Sequence, residues 1–282
     1  MESNVLDSIS SQYNSLTHSE KKLADYIFSH KTGVQHMSVA NLAEVSHVSE
    51  TTIHRFCKLL GLSYHEFKLA LSQAAPSPGL PDSNKPCAIS SNGLKNICQG
   101  LYQANIDALA ETLARFDESS IHQAITLLSK AQKVYCFGQG SSNIMAMEAW
   151  ARFATVSSSF IHIEDSHMQA MASALCRKGD VILFFSYSGA TKDMLDILKP
   201  AKSNGASIIL VTHFSASPAA MLANVCLLCG PSERPLQSGS ITTKIGQLFI
   251  IDCLFHGYCQ QNSRACAQAQ AATSQATARK LL

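Results

Sequence analysis

The chain has 282 residues, a formal net charge of +2 and 15% charged residues, which excludes a polybasic nucleic-acid coat and a disordered charged tail. With 46% hydrophobic residues, it can bury a large core and has room for two domains. Polar residues follow Met1, and no apolar run approaches the roughly twenty residues of a membrane span. We therefore expect a cytoplasmic protein without a membrane partner.

A helical pattern extends from Thr17 to about Gln73 and forms the core of a predicted domain at residues 1–75. Thr17 and Glu20 have the spacing of a capping box, which marks a helix start. Four apolar residues then recur at the spacing of one buried helix face: Leu23, Ala24, Ile27 and Phe28.

Residues 39–60 fit the helix-turn-helix pattern, in which apolar residues at set offsets lock two helices at a steep angle. The apolar positions are Leu42, Ala43, Val48, Ile53, Phe56, Leu59 and Leu60. Ser49 is placed as the N-cap of the second helix, and Gly61 is placed to end it. His47 takes the turn position usually held by glycine, and histidine is one of the few side chains that adopt positive φ.

The exposed positions of the second helix are placed to reach base edges and phosphates. Together with the N-cap, the predicted DNA-binding residues are Ser49, Thr51, Thr52, His54, Arg55 and Lys58. Arg55 is the best candidate for hydrogen bonding to a guanine base. Residues 1–75 carry six Lys and Arg against seven Asp and Glu, so a single copy has little positive charge for binding DNA. The affinity for DNA must then come from a symmetric dimer that binds two weak half-sites at once. A plain three-helix packing module is the alternative.

Four prolines among Ser, Asn and Gly predict a stiff linker at residues 76–92. Beyond it, residues 93–262 form the second predicted domain, and residues 263–282 form a helix-prone tail. Helical patterns at 94–116 and 120–131 precede five β-rich runs, at residues 133–137, 159–163, 180–185, 207–212 and 225–229. Helical stretches separate these runs, and a final helix is predicted at about 240–260. Such alternation predicts the α/β class, with a parallel sheet covered on both faces.

Two of the predicted strands, the first and the third, end in loops of small and hydroxyl residues just before a helix, at residues 138–142 and 186–191. Backbone N–H groups and hydroxyls then converge at the carboxyl edge of the sheet and form an anion pocket. A dinucleotide site would need glycine where Asn143 stands in the first loop. An ordinary polar turn is the alternative for the second loop.

Ten cysteines in a chain without a secretion signal indicate reduced thiols rather than a disulfide framework. Cys226 and Cys229 have C-x-x-C spacing, but in a predicted strand an offset of three sends the side chains to opposite faces. No second pair completes a zinc site, so we expect a structural role for both thiols and assign no metal or cofactor.

Several motifs resemble a known family. Leu16-Thr17-x-Ser-Glu20-Lys-Lys-x-Ala24, Val48-Ser49-Glu50-x-Thr52-Ile53-x-Arg55-Phe56, Leu60-Gly61 and Phe67-Lys68-x-Ala70-Leu71 resemble the N-terminal domain of RpiR-type bacterial transcriptional regulators. Ser186-x-Ser188-Gly189-x-Thr191 and residues 241–255 resemble the sugar isomerase (SIS) domain that this family fuses to it.

The resemblance implies a flavodoxin-like SIS domain that holds the phosphate of a phosphorylated sugar. The effector-binding residues that it implies are Ser141, Ser142, Ser186, Tyr187, Ser188, Gly189 and Thr191. It also implies a homodimer or homotetramer that binds an inverted repeat of operator DNA and regulates sugar metabolism genes, as a repressor in our interpretation.

Two other functions remain open from the residues: a phosphosugar isomerase with a helical dimerisation domain, and a protein-interaction module that binds no DNA. Isomerisation needs a general base near the sugar, and the candidates are His162, Glu164, Asp165, His167 and Glu233. Three of these, His162, Asp165 and His167, also qualify as a metal cluster, although a polar wall of a sugar pocket explains them as well. None matches the catalytic residues of the isomerases, so we predict binding without catalysis.

Overall fold

A computed structural model describes residues 5–35, 37–74, 93–215, 217–230 and 241–278 of the chain. The chain divides into two compact units, and the division falls after Ala108. The predicted linker at residues 76–92 and the candidate base Glu233 lie outside the described residues. Within the described ranges, no helix is long and apolar enough to cross a membrane.

The first unit is built from helices. They are α1 (Val5–Gln12), a short 3-10 helix (Tyr13–Ser15), α2 (His18–Ser29), α3 (Lys31–Val34), α4 (Val39–Ser46), α5 (Glu50–Leu59) and α6 (Tyr64–Ala74). The predicted capping box opens α2, where the Thr17 N–H donates to Glu20 Oε2 at 2.9 Å. Leu23, Ala24 and Ile27 are buried, as predicted for this helix.

One hydrophobic cluster joins these helices. Its largest fully buried side chains are Ile9, Leu23, Ile27, Leu42, Ile53, Phe56, Phe67 and Leu71. The rings of Phe56 and Phe67 meet edge to face, with centroids 6.1 Å apart. Phe28 is only partly buried against the cluster. Burial of each large side chain contributes roughly 1.5–3 kcal/mol, so this cluster stabilises the unit.

The second unit alternates helices and strands and begins within the long helix α7 (Gly93–Ala114), which contains the division between the units. Its further elements are α8 (Glu118–Lys130), β1 (Lys133–Gly138), α9 (Ser141–Ala154), β2 (Phe160–His162), α10 (Ser166–Ala174), β3 (Asp180–Phe185), α11 (Lys192–Ser203), β4 (Ser207–Thr212), β5 (Val225–Leu228), α12 (Ile241–Gln261) and α13 (Ser263–Ala278).

The five strands form one parallel sheet in the order β2-β1-β3-β4-β5, which confirms the predicted α/β class and flavodoxin-like order. The chain crosses from one side of β1 to the other between β2 and β3. In open α/β sheets, ligands bind outside the carboxyl ends of the strands at such a switch point. The register pairs Gly138 with Phe185, so β1 and β3 end at the same level.

Alternate strand residues enter two hydrophobic clusters, one on each face of the sheet. Cys136, Leu183 and Val211 pack with residues of α8, α9 and α12, while Phe137 and Phe184 pack with residues of α11. Neighbouring residues point to opposite faces because a strand has a side-chain period of two.

The two thiols of the C-x-x-C sequence follow the same rule. Cys229 belongs to the cluster beneath α8, α9 and α12, and Cys226 packs against the cluster beneath α11. The prediction that they face opposite sides of the sheet is confirmed. Burial also raises the pKa of the Cys226 thiol to about 11, so it is protonated at neutral pH.

Candidate functional site

The loop after β1 joins the strand directly to α9. A side chain at Gly138 would place its Cβ 2.6 Å from the backbone oxygen of Ser142, so only glycine allows this close approach. Gly140 has a φ of +54° and precedes the first helical residue, Ser141. The positive end of the α9 dipole therefore lies at the carboxyl edge of the sheet.

The loop after β3 brings hydroxyl groups to the same edge. The Ser186 Oγ accepts a hydrogen bond from the Gly189 N–H at 3.2 Å and is buried. Gly189 has a φ of +59°, and a Cβ there would overlap the Ser217 side chain. Thr191 is the N-cap residue of α11, but its side chain makes no capping bond. Two helix N-termini thus follow the ends of β1 and β3 at the same edge of the sheet, and each favours an anion there.

A cleft of about 720 Å³ opens at this edge. Its lining residues are Gly138, Gln139, Gly140, Asn143, Glu164, Asp165, Ser166, Thr191 and Asp193. Gln139 Nε2 is buried and makes no hydrogen bond to the described residues. A buried donor of this kind is normally satisfied by a partner, so a ligand oxygen in the cleft would complete its hydrogen bonding.

Of the seven predicted effector residues, Thr191 lines this cleft. Ser141 and Ser142 open α9 next to the lining residue Gly140, and Ser141 is exposed. The other four belong to the loop after β3, where Ser188 Oγ accepts from the Ala190 N–H at 3.4 Å. Gln139, Asn143, Ser166 and Asp193 also line the cleft, although none completes a recognisable sequence motif.

Gln169 fixes two loops that border the cleft. It is fully buried, and its Nε2 donates to the Gly138 carbonyl at 3.0 Å and to the Ile163 carbonyl at 2.8 Å. Gly138 is the last residue of β1, and Ile163 directly follows β2. One side chain therefore ties the ends of the two strands together, and no sequence motif marks it.

Tyr187 packs against the loop after β4. Its ring stacks on His213 with centroids 5.1 Å apart, and its carbonyl accepts from the His213 N–H at 3.1 Å. Arg115 follows the end of α7, and its Nη1 donates to the His213 carbonyl at 3.1 Å. Tyr187 in the loop after β3 is therefore connected through His213 to Arg115, the residue that follows α7.

His213 is held in its neutral form. Burial, followed by the positive charge of Arg115, lowers the pKa of His213 from 6.5 to about 4. His213 Nδ1 lies 3.0 Å from the Gly230 carbonyl, which fixes the ring.

The described candidate bases extend from the end of β2 through the next loop to the start of α10. His162 Nε2 lies 3.0 Å from Asn143 Oδ1, and burial lowers the pKa of its ring. Asp165 Oδ1 caps α10 by accepting from the Met168 N–H at 2.8 Å. His167 is exposed. Among the described side chains, no three His, Cys, Asp or Glu residues form a group that could hold a metal ion.

The helix-turn-helix geometry is present in the first unit. His47 ends α4 with a φ of +54°, as its turn position requires, and Ser49 caps α5 by accepting from the Thr52 N–H at 3.2 Å. The expectation that Leu59 is buried is wrong, because its side chain is 42% exposed and Cys57 is buried instead. Cys57 continues the buried stripe of α5 at the i+4 spacing from Ile53.

Thr51, His54, Arg55 and Lys58 are exposed on α5, and Thr52 is half-buried. Ser49 and Thr52 share a hydrogen bond of 2.9 Å between their hydroxyls.

Arg55 is also constrained. Its Nε donates to Glu20 Oε1 at 3.0 Å, although the arginine side chain is 60% exposed. The Thr17 hydroxyl, with Arg55 contributing, lowers the pKa of Glu20, so this carboxyl group is ionised at neutral pH. Glu20 therefore fixes one edge of the guanidinium.

We expect the stability of the second unit to fall as pH decreases from 6.5 to 4, because the unfolded chain protonates His213 in this window and the folded unit does not. His213→Gln should reduce the dependence of the melting temperature on pH across the window. Differential scanning calorimetry measures it, with exposed His122→Gln as the matched control. Equal pH slopes for His213→Gln and the parent protein would contradict this assignment.

The chain matches known domains in both units. The helix-turn-helix domain of the rpiR family matches residues 3–78, and the SIS domain matches residues 127–257. The solved structure of Vibrio vulnificus NanR complexed with ManNAc-6P has a TM-score of 0.86 to this protein, at 24% identity over 99% of each chain. This similarity establishes the fold.

Relatives of similar length are named as regulators. An uncharacterized HTH-type transcriptional regulator of Haemophilus influenzae is 33% identical over 255 residues, which cover 89% of this chain and 88% of that protein. The HTH-type transcriptional regulator HexR of Escherichia coli is 28% identical over 256 residues, which cover 90% of this chain and 88% of that protein. The chain therefore belongs to the RpiR family of transcriptional regulators, and its SIS domain is a ligand-binding domain rather than an enzyme.

Proposed function

We propose that this regulator is a cytoplasmic repressor of sugar metabolism genes and that a phosphorylated sugar, bound by the SIS domain, controls its affinity for operator DNA. The observation that carries the proposal is the convergence of two helix N-termini and several hydroxyls beside a cleft at the switch point of the sheet. Several such donors together stabilise a phosphate dianion, so the site does not depend on one strongly basic side chain.

The proposed phosphate ligands are Ser142, Ser186, Ser188 and Thr191, with Ser141 and Gly189 shaping the loops and Tyr187 bordering the sugar. The cleft volume of about 720 Å³ lies within the usual range for small-molecule sites. The similar fold of NanR, which was solved with ManNAc-6P, supports a phosphosugar as the class of ligand.

The proposed DNA-binding surface is the exposed side of α5, with Ser49, Thr51, Thr52, His54, Arg55 and Lys58. Because the first domain has almost equal numbers of acidic and basic residues, one copy should bind DNA weakly. We therefore propose a homodimer or homotetramer that places two copies of α5 on an inverted repeat. Effector binding regulates only if it favours one arrangement of these copies over another.

Replacing Ser188 and Thr191 together by alanine should abolish effector binding while the fold and operator binding persist. Each lost hydrogen bond to the phosphate should cost roughly 1.5–3 kcal/mol. Titration calorimetry with the phosphosugar that most raises the melting temperature measures the loss. Ser274→Ala with Thr277→Ala in α13 removes the same groups away from the cleft and should change nothing. Unchanged affinity in the Ser188/Thr191 variant would refute this phosphate site.

Arg55→Ala should relax the preference for operator sequence. Lys58→Ala should instead weaken binding to all DNA sequences about equally, and it should reduce the slope of log affinity against log salt concentration by about one unit. Glu20→Gln keeps Arg55 but removes the charge that orients it, so it should reduce sequence preference in the same direction. Fluorescence anisotropy on operator and unrelated DNA measures these effects, with the exposed Lys130→Ala as control. Parent-like binding by both α5 variants would exclude this helix from DNA recognition.

A further inference from the structure

The lining of the cleft is acidic. Glu164, Asp165 and Asp193 contribute carboxylates to it, and the described lining residues include no Lys, Arg or His. Gln139, in the same lining, has a buried Nε2 without a hydrogen-bond partner among the described residues. The cleft therefore offers one unsatisfied donor to a ligand beside carboxylates that repel further negative charge.

The three carboxylates have different surroundings. Asp165 caps α10, so the dipole of that helix offsets its charge. Asp193 lies in the first turn of α11, beside the proposed phosphate ligand Thr191. Glu164 is exposed and follows β2. His162 lies near Glu164, but burial lowers the pKa of that imidazole and favours its neutral form.

The strand order separates Glu164 from the loop after β3, where the phosphate is proposed to bind. In the order β2-β1-β3, the end of β2 lies two strand spacings, roughly 10 Å, from the end of β3. A phosphate held by the loop after β3 therefore directs the opposite end of a hexose-sized ligand toward Glu164. Asp193, by contrast, acts on the phosphate end that all such ligands share.

We propose that the effector is a phosphorylated sugar that carries hydroxyl or amino groups, and no carboxylate, at the end opposite its phosphate, and that Glu164 enforces this selectivity. The inference rests on the proposed function, because it assumes that the phosphate binds at the loop after β3. It excludes phosphorylated sugar acids as effectors of this protein.

Glucitol 6-phosphate and 6-phosphogluconate provide a matched pair, since both are open six-carbon chains that differ only in a hydroxymethyl or carboxylate group at C1. Titration calorimetry of the full-length protein with this pair and with glucosamine 6-phosphate tests the proposal. We expect the acid to bind at least about tenfold more weakly than either other ligand at low ionic strength. The ratio should decrease as added salt screens the exposed carboxylate.

Glu164→Gln should bring the affinities for the acid and for glucitol 6-phosphate closer by a factor of about three or more. Asp193→Asn is the matched control, because it removes a charge from the same cleft and should strengthen binding of all three ligands alike. Both side chains are exposed, so neither change removes buried packing.

Different outcomes test ligand selectivity and phosphosugar binding separately. Tight binding of 6-phosphogluconate, or an unchanged ratio in Glu164→Gln, would overturn the selectivity while leaving phosphosugar binding intact. An equal change of the ratio in Asp193→Asn would overturn the role of Glu164. If no phosphorylated sugar binds at concentrations up to about 10 mM, the proposed function and this inference fail together.

Discussion

The parallel pairing of β1 with β3 is the constraint on which the candidate site depends. Because Gly138 lies beside Phe185, the two strands stop at one level, and the loops that follow them meet. Each loop then enters a helix on the same edge, so two helix dipoles point their positive ends toward one cleft. A shift in this register would separate the hydroxyls of the second loop from the backbone of the first.

Buried contacts keep those loops in place. The Gln169 side chain holds the carbonyls of Gly138 and Ile163, while Gly189 fits against Ser217 only because it has no side chain. On the other side of the loop, Tyr187 stacks on His213, to which Arg115 donates. Arg115 directly follows α7, the helix that begins after the linker segment. The loop after β3 is thus linked through His213 to Arg115.

Sequence patterns predicted the features that depend on local periodicity and capping. The alternating strands, the capping box at Thr17 and the left-handed turn at His47 all follow from residues close together in the chain. Leu59 was misassigned because Cys57 and Leu59 both fit an apolar stripe, and only the packing of α5 shows which one is buried. The pairing of Arg55 with Glu20 joins residues 35 positions apart, which local spacing cannot reveal.

The lining of the cleft also could not be predicted fully from local sequence patterns. Its hydroxyl loops have a recognisable motif, but Gln139, Asp193 and Gln169 acquire their positions from the tertiary fold. In the sequence, Asn143 only breaks a dinucleotide fingerprint, yet it lines the cleft and contacts His162. The motif therefore predicts the class of ligand, whereas in our proposal selectivity among phosphosugars depends on Glu164 in the lining of the cleft.

The central claim is that one chain couples phosphosugar binding to DNA binding. Coupling between two sites is reciprocal, so the factor by which the sugar changes DNA affinity must equal the factor by which DNA changes sugar affinity. The most direct measurement is therefore the dissociation constant of the phosphosugar with and without saturating operator DNA. We predict a change that matches the shift in operator affinity caused by the sugar. If both ligands bind and neither alters the affinity of the other, the account is contradicted.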